Sequence, residues 1–226
     1  MSVRSSRLTA VVVILIGVFA SAATATHGHS RCAPISKKTV THDRVAEVYY
    51  AFDGEITGCV YALGKPYRLG PGFEALSQGS HGLEDFVLNG IYVAYEQIHA
   101  PFEPDLIRPA SFYVVVRNLR TGNIVHREPT GASSDPTSIG LGSARRLVVS
   151  KTGAVAWSVI DYRTYCHTDP TLNCVQVRVI DSRGGAVVAE AQEPSRGVGI
   201  EANSLTLHAG VISWEQNEAL RHFVLR

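Results

Sequence analysis

Three stretches of the chain repeat one pattern: Phe86-Val-Leu-Asn-Gly-Ile-Tyr-Val-Ala-Tyr95, Val148-Val-Ser-Lys-Thr-Gly-Ala-Val-Ala-Trp157 and Leu205-Thr-Leu-His-Ala-Gly-Val-Ile-Ser-Trp214. They align without gaps, and their closing aromatics recur at intervals of roughly sixty residues. Each reads as an apolar strand, a glycine-containing turn and a second apolar strand ending in an aromatic. A further hairpin follows after a loop. Self-similarity at this spacing, carried by strands, describes a repeated β-sheet unit. It constrains architecture and leaves chemistry open.

The first 25 residues have another purpose. Arg4 and Arg7 form a charged start, residues 8–20 an apolar run, and Ala20-Ser-Ala22 and Ala23-Thr-Ala25 are small-residue cleavage patterns. Residues 1–25 are therefore expected to be a secretory signal peptide, with residues 26–44 as a polar leader and 45–226 as the β-repeat domain. A retained membrane anchor is the competing reading, but the apolar run falls short of the ~20 residues a span needs. No membrane span is expected after cleavage. The expected location is secreted or on the exterior of the cell envelope.

Composition narrows the partners. A formal charge of +1 and an isoelectric point near 7.8 leave no basic footprint for nucleic acid or an anionic membrane surface. Charged residues make up 18% of the chain, below the ~25% of an average domain, which suits a sheet-rich exported protein. The four cysteines, Cys32, Cys59, Cys166 and Cys174, are an even number in an exported chain, and four cysteines allow three pairings. Cys166 and Cys174 bracket a short loop and are the favoured local pair, which leaves Cys32 to tie the leader to the strand at Cys59. No Cys-x-x-Cys spacing supports a metal site, so no metal is expected.

Along the chain, short apolar segments alternate with Gly, Pro, Asn and Asp. Residues 45–52 and 56–61 form a first pair around Asp53-Gly54, a hairpin signal. A full repeat at 83–127 contains strands at 86–88, 91–95, 113–116 and 124–126. The next, at 146–191, contains strands at 147–149, 154–160, 175–180 and 186–189. Val175, Val177 and Val179 alternate with Gln176 and Arg178, the period of a half-buried strand. A last repeat from about Ser204 stops in mid-unit. No segment carries a sustained helical period.

Four strands per unit with an aromatic closing the second resemble a β-propeller blade. Asn89-Gly-Ile-Tyr-Val-Ala-Tyr95 is similar to the turn of TolB-type, WD40-like repeats, and Arg120-Thr-Gly-Asn-Ile-Val125 to the hairpin of quinoprotein-type and WD40-type blades. The expected fold is all-β: a β-propeller or propeller-like stack of about four four-stranded antiparallel repeats with incomplete end repeats. A β-sandwich is the alternative. The incomplete ends imply a closing contact, so Thr39-Val-Thr41 is expected to pair with, or pack beside, the strand at 220–225.

Repeats put equivalent residues in equivalent places, so polar residues that follow the closing aromatics are the first candidates for a site. Glu96-Gln97 and Glu215-Gln216 hold that position. Strand ends converging on one face would bring two carboxylates and two amides together as a binding set. The carboxylates Glu96 and Glu215 would then be the alternative catalytic pair for glycoside hydrolysis or lysis. The competing explanation is that each strand simply re-enters solvent there. Histidines are scattered without ligand spacing, no Gly-x-Ser-x-Gly elbow occurs, and no glycine-rich loop opens a helix; no cofactor is expected. With long connections at 98–111 and 162–173 and no catalytic constellation, the chain reads as a non-enzymatic binding or interaction module for an extracellular protein or glycan. A carbohydrate-active hydrolase or lyase is the alternative.

Overall fold

A computed structural model describes residues 32, 38–51, 53–72, 81–99, 111–131, 142–166, 169–192 and 198–226. Residues 1–25 and most of the connection at 98–111 lie outside them, whereas most of the connection expected at 162–173 is strand instead. The described chain is all-β, with one 3-10 turn at Ala202–Ser204.

Among the described residues fifteen strands make four antiparallel sheets, each formed by one contiguous stretch of chain. The first sheet holds β1 (Lys38–His42), β2 (Ala46–Tyr50), β3 (Glu55–Val60) and β4 (Lys65–Pro71). The second holds β5 (His81–Asn89), β6 (Tyr92–His99), β7 (Ser111–Asn118) and β8 (Ile124–Pro129). The third holds β9 (Ala144–Val149), β10 (Val155–Cys166), β11 (Asp169–Asp181) and β12 (Gly184–Gln192). The fourth has three strands, β13 (Thr206–His208), β14 (Val211–Gln216) and β15 (Ala219–Val224). Strand order in every sheet is sequential. The first strands lie side by side, β1 beside β5, β5 beside β9 and β9 beside β13. That is the propeller-like stack expected from the repeat. Among the described residues no extensive contact joins the fourth sheet to the first.

Side-chain alternation explains the stacking. A strand covered on both faces reads as a continuous apolar run, and Val114-Val-Val116 is one. Val48, Ile56 and Leu69 of the first sheet meet Val93, Tyr95 and Val115 of the second. Ala94, Val114 and Val116, on the reverse face, meet Leu147, Val155 and Trp157 of the third. Ala156, Val177 and Val179 meet Leu205, Ile212 and Trp214 across the last interface. Each closing aromatic therefore packs backward onto the preceding sheet, and the residue after it faces forward.

The repeat glycines hold the first hairpin turns. In the second sheet Asn89 pairs with Tyr92, so Gly90 (φ +66°) is the first of two loop residues. In the fourth, His208 pairs with Val211, and Ala209 (φ +47°) precedes Gly210 (φ +82°). The former fits a II′ turn and the latter a I′ turn, which accounts for the one-residue slip of glycine between copies.

The N-terminal segment differs from expectation. Thr39-Val-Thr41 lies in β1, which pairs with β2 and gives the first sheet its fourth strand. It does not pair with β15. The intervening turn favours this arrangement, because the Asp43 carboxylate accepts from the backbone N–H of Val45 and Ala46. Its other oxygen takes the N–H of Gly90, fastening the first hairpin to the second. Cys32 and Cys59 are joined by a disulfide, as expected, and the Tyr49 hydroxyl donates to the Cys32 carbonyl at 2.6 Å. Cys174 is also disulfide-bonded. The side chain of Cys166 lies outside those described.

Candidate functional site

The residues that follow the closing aromatics divide in two. Glu96 faces forward from β6 and is fully buried at the boundary with the third sheet. The Ser143 hydroxyl donates to its Oε2 at 2.7 Å and the Ala144 N–H to its Oε1 at 2.8 Å, both where the chain enters β9. The corresponding residue of the third sheet, Ser158, is buried and donates to the Ala202 carbonyl, where the chain approaches the fourth sheet. Glu96 and Ser158 thus fasten each sheet to the segment that starts the next. Glu215 occupies the same position in the fourth sheet and is exposed. Its N–H donates to the Ser204 hydroxyl and its carbonyl accepts from Glu201. Gln216 accepts from the Trp214 indole N–H at 3.4 Å.

Glu96 has acidic company of its own. Glu84 lies opposite it in register, and with Asp85 the three place carboxylate oxygens within 4.8 Å of one another. Burial pushes the Glu96 carboxyl up to about 8; the bonds from Ala144 and Ser143 oppose this, and the nearby Glu84 adds to it. Burial likewise raises Glu84 and Asp85. Glu84 and Glu96 face each other across the ladder, where a neutral Glu96 avoids repulsion between the two carboxyls. Both Glu96 oxygens also accept hydrogen bonds, from Ser143 and Ala144. Glu96 and Glu215 lie on sheets separated by a third, and the described contacts do not bring them together.

Gln97 behaves differently. With Tyr95 and His99 it lies on the face of β6 turned toward the first sheet, and there it lines an open cleft of about 430 Å³. Pro71, at the end of β4, forms one wall; His99, Tyr113 and Arg127 share the other with Gln97. The register builds this wall: Gln97 pairs with Tyr113, Tyr113 with Pro129, and Arg127 lies two residues earlier on β8. The Arg127 guanidinium sits 4.0 Å above the Tyr113 ring centre, and its Nε donates to Gln97 Oε1 at 3.3 Å. A planar cation, an amide, an imidazole and an aromatic ring therefore converge on one volume.

Of the expected binding set Glu96, Gln97, Glu215 and Gln216, Gln97 lines this cleft among the described residues. His99 was reachable, since Gln97 and His99 continue the alternation past Tyr95. Tyr113 was visible in sequence as an aromatic able to stack a sugar or to join the core; Arg127 required the register of β7 and β8, which sequence spacing does not supply.

No protein family matches the sequence, and no curated protein matches it. Among solved structures, the chain is similar to "A subtype N10 neuraminidase-like protein of A/little yellow-shouldered bat/Guatemala/060/2010", with a TM-score of 0.34 and 10% identity over 75% of this chain. The chain spans 46% of that protein's length.

Proposed function

We propose that this chain is a non-enzymatic binding module of the cell exterior that holds a glycan in the cleft between its first and second sheets. The cleft itself carries this reading. Its volume lies within the 300–1,000 Å³ of small-ligand sites, and its lining mixes an aromatic surface with an amide, an imidazole and a guanidinium, groups that answer hydroxyl-rich ligands. The Cys32–Cys59 disulfide supports an oxidising, extracellular setting. Binding is favoured over hydrolysis because Glu96, the carboxyl expected to act in catalysis, is enclosed and bonded to Ser143 and Ala144.

The test is titration calorimetry of the intact domain against a panel of oligosaccharides, repeated with Tyr113→Ala and Gln97→Ala. Binding to at least one oligosaccharide, weakened about tenfold or more in both variants while circular dichroism shows the sheet fold retained, is expected. Binding that both substitutions leave intact would place the ligand elsewhere.

A further inference from the structure

The charge around the cleft is one-sided. Arg127 is exposed at its rim, and its partners are Gln97 and the Tyr113 ring; no carboxylate pairs with it among the described residues. Arg117 lies on the same face, two positions beyond Val115 on β7, and donates from Nη1 to the Arg68 carbonyl at 3.1 Å. Its Nε is buried without a partner, and no carboxylate pairs with it either. The neighbouring acids among the described residues, Glu55 and Glu128, are otherwise engaged. Glu55, opposite Pro71 in the first sheet, is bonded to Arg68. Glu128 follows Arg127 but, by strand alternation, projects to the opposite face, where it acts on His126. Among the described residues the cleft therefore presents positive charge with no carboxylate facing it.

A guanidinium fixed on an aromatic ring keeps its fork of N–H donors oriented, the geometry that recognises a planar carboxylate or a sulfate oxygen pair. We infer that the glycan held between the first and second sheets is anionic, a saccharide bearing carboxylate or sulfate groups, with one oxyanion seated against Arg127. This rests on the reading of the cleft as a glycan site and adds the charge of the ligand. An exposed arginine with no counter-ion costs little in the free protein, so its charge is available for an incoming anion. The Arg117 charge on the same face adds a longer-range attraction.

Three probes separate the possibilities by calorimetry at low and high salt: a uronic-acid trisaccharide, a sulfated disaccharide and a neutral trisaccharide. Either anionic probe should bind at least about tenfold more tightly than the neutral one, and should weaken as salt screens the pair. Which anionic probe wins identifies carboxylate or sulfate as the group recognised. Arg127→Ala should remove the preference, Arg127→Lys should restore part of it, and neither should move the melting temperature, since the side chain is exposed. A neutral probe that binds as tightly as the anionic ones, lost in Tyr113→Ala, would overturn the anionic ligand and keep the glycan site. Failure of all three probes to bind would overturn both.

Discussion

The Ser143 hydroxyl donates to the Glu96 carboxyl at 2.7 Å, across a boundary between two sheets that share no backbone hydrogen-bonded ladder. Forty-seven residues apart in sequence, the two groups make a polar fastening in an interface built mainly from Val, Ala, Leu, Ile and Trp. It also makes that interface sensitive to protons.

Glu96 is raised from its ordinary 4.5 to about 8 in the folded protein. Between those values the folded state keeps a proton that the unfolded chain has lost. Its contribution is complete below the lower value and is lost as pH rises through the upper one, with a slope of at most about 1.4 kcal/mol per pH unit. Urea denaturation from about pH 5 to about pH 9 should show this decline. Glu96→Gln, which is neutral at every pH, should flatten it. Glu96→Ala should cost about 2–3 kcal/mol at the acid end, because the Ala144 N–H is left buried without an acceptor. A pH-independent wild type would show that the proton is not held.

Trp157 and Trp214 occupy equivalent places with unequal bonds. The Trp157 indole N–H donates to the buried Thr130 carbonyl at 2.8 Å, whereas that of Trp214 reaches Gln216 at 3.4 Å. Trp157→Phe should destabilise by about 1–3 kcal/mol, and Trp214→Phe by less. Thermal melts of the two variants give the comparison. An equal loss would assign the effect to packing alone.

The Cys32–Cys59 bridge closes a loop across a sequence separation of 27, and constraining the unfolded chain in this way is worth about 2–4 kcal/mol. The Cys32→Ser, Cys59→Ser double variant should be less stable by that amount. A reductant should lower the stability of the wild type by more than that of the double variant. Equal effects of reductant on both would place the reducible contribution at Cys174.

Asp181 is lowered to about 2, chiefly by its hydrogen bonds from Arg183, with backbone bonds from Arg183 and Arg226 adding to this. A depressed carboxyl stabilises above its unfolded value of 3.8, and the contribution disappears as pH falls toward 2. Asp181→Asn should therefore weaken the domain at neutral pH and reduce its acid sensitivity. Stability measured at neutral and strongly acid pH checks both halves.

Much of the fold could be read from the chain, because strand period and turn chemistry are local. The turn at Asp53-Gly54 joins β2 to β3, and the closing aromatics lie buried in β6, β10 and β14; Val175, Val177 and Val179 do share one face of β11, but Gln176 between them is buried too, so that strand is covered on both faces rather than half-buried. The placement of Thr39-Val-Thr41 was not readable. Its partner was settled by a two-ended turn at Asp43 rather than by any pattern in the strand itself. The site was less legible still. Glu96 and Gln97 are adjacent in sequence and share the same polar signal, yet one residue of strand phase sends the first into an interface and the second into an open cleft. Arg127 joins Gln97 only through two intervening strand registers, and no spacing rule within β8 announces it.

The bonds around Asp181 also set the route that force takes through the molecule. Arg226 donates to Asp181 and accepts from the Ser182 N–H at 2.9 Å, while Arg183 holds the Val224 carbonyl at 2.9 Å. Tension applied at Arg226 therefore loads the turn between β11 and β12 before it reaches the ladder of β14 and β15. The smallest sheet is mechanically shielded by its neighbour, and a pull meets the clasp at the third sheet as its first resistance.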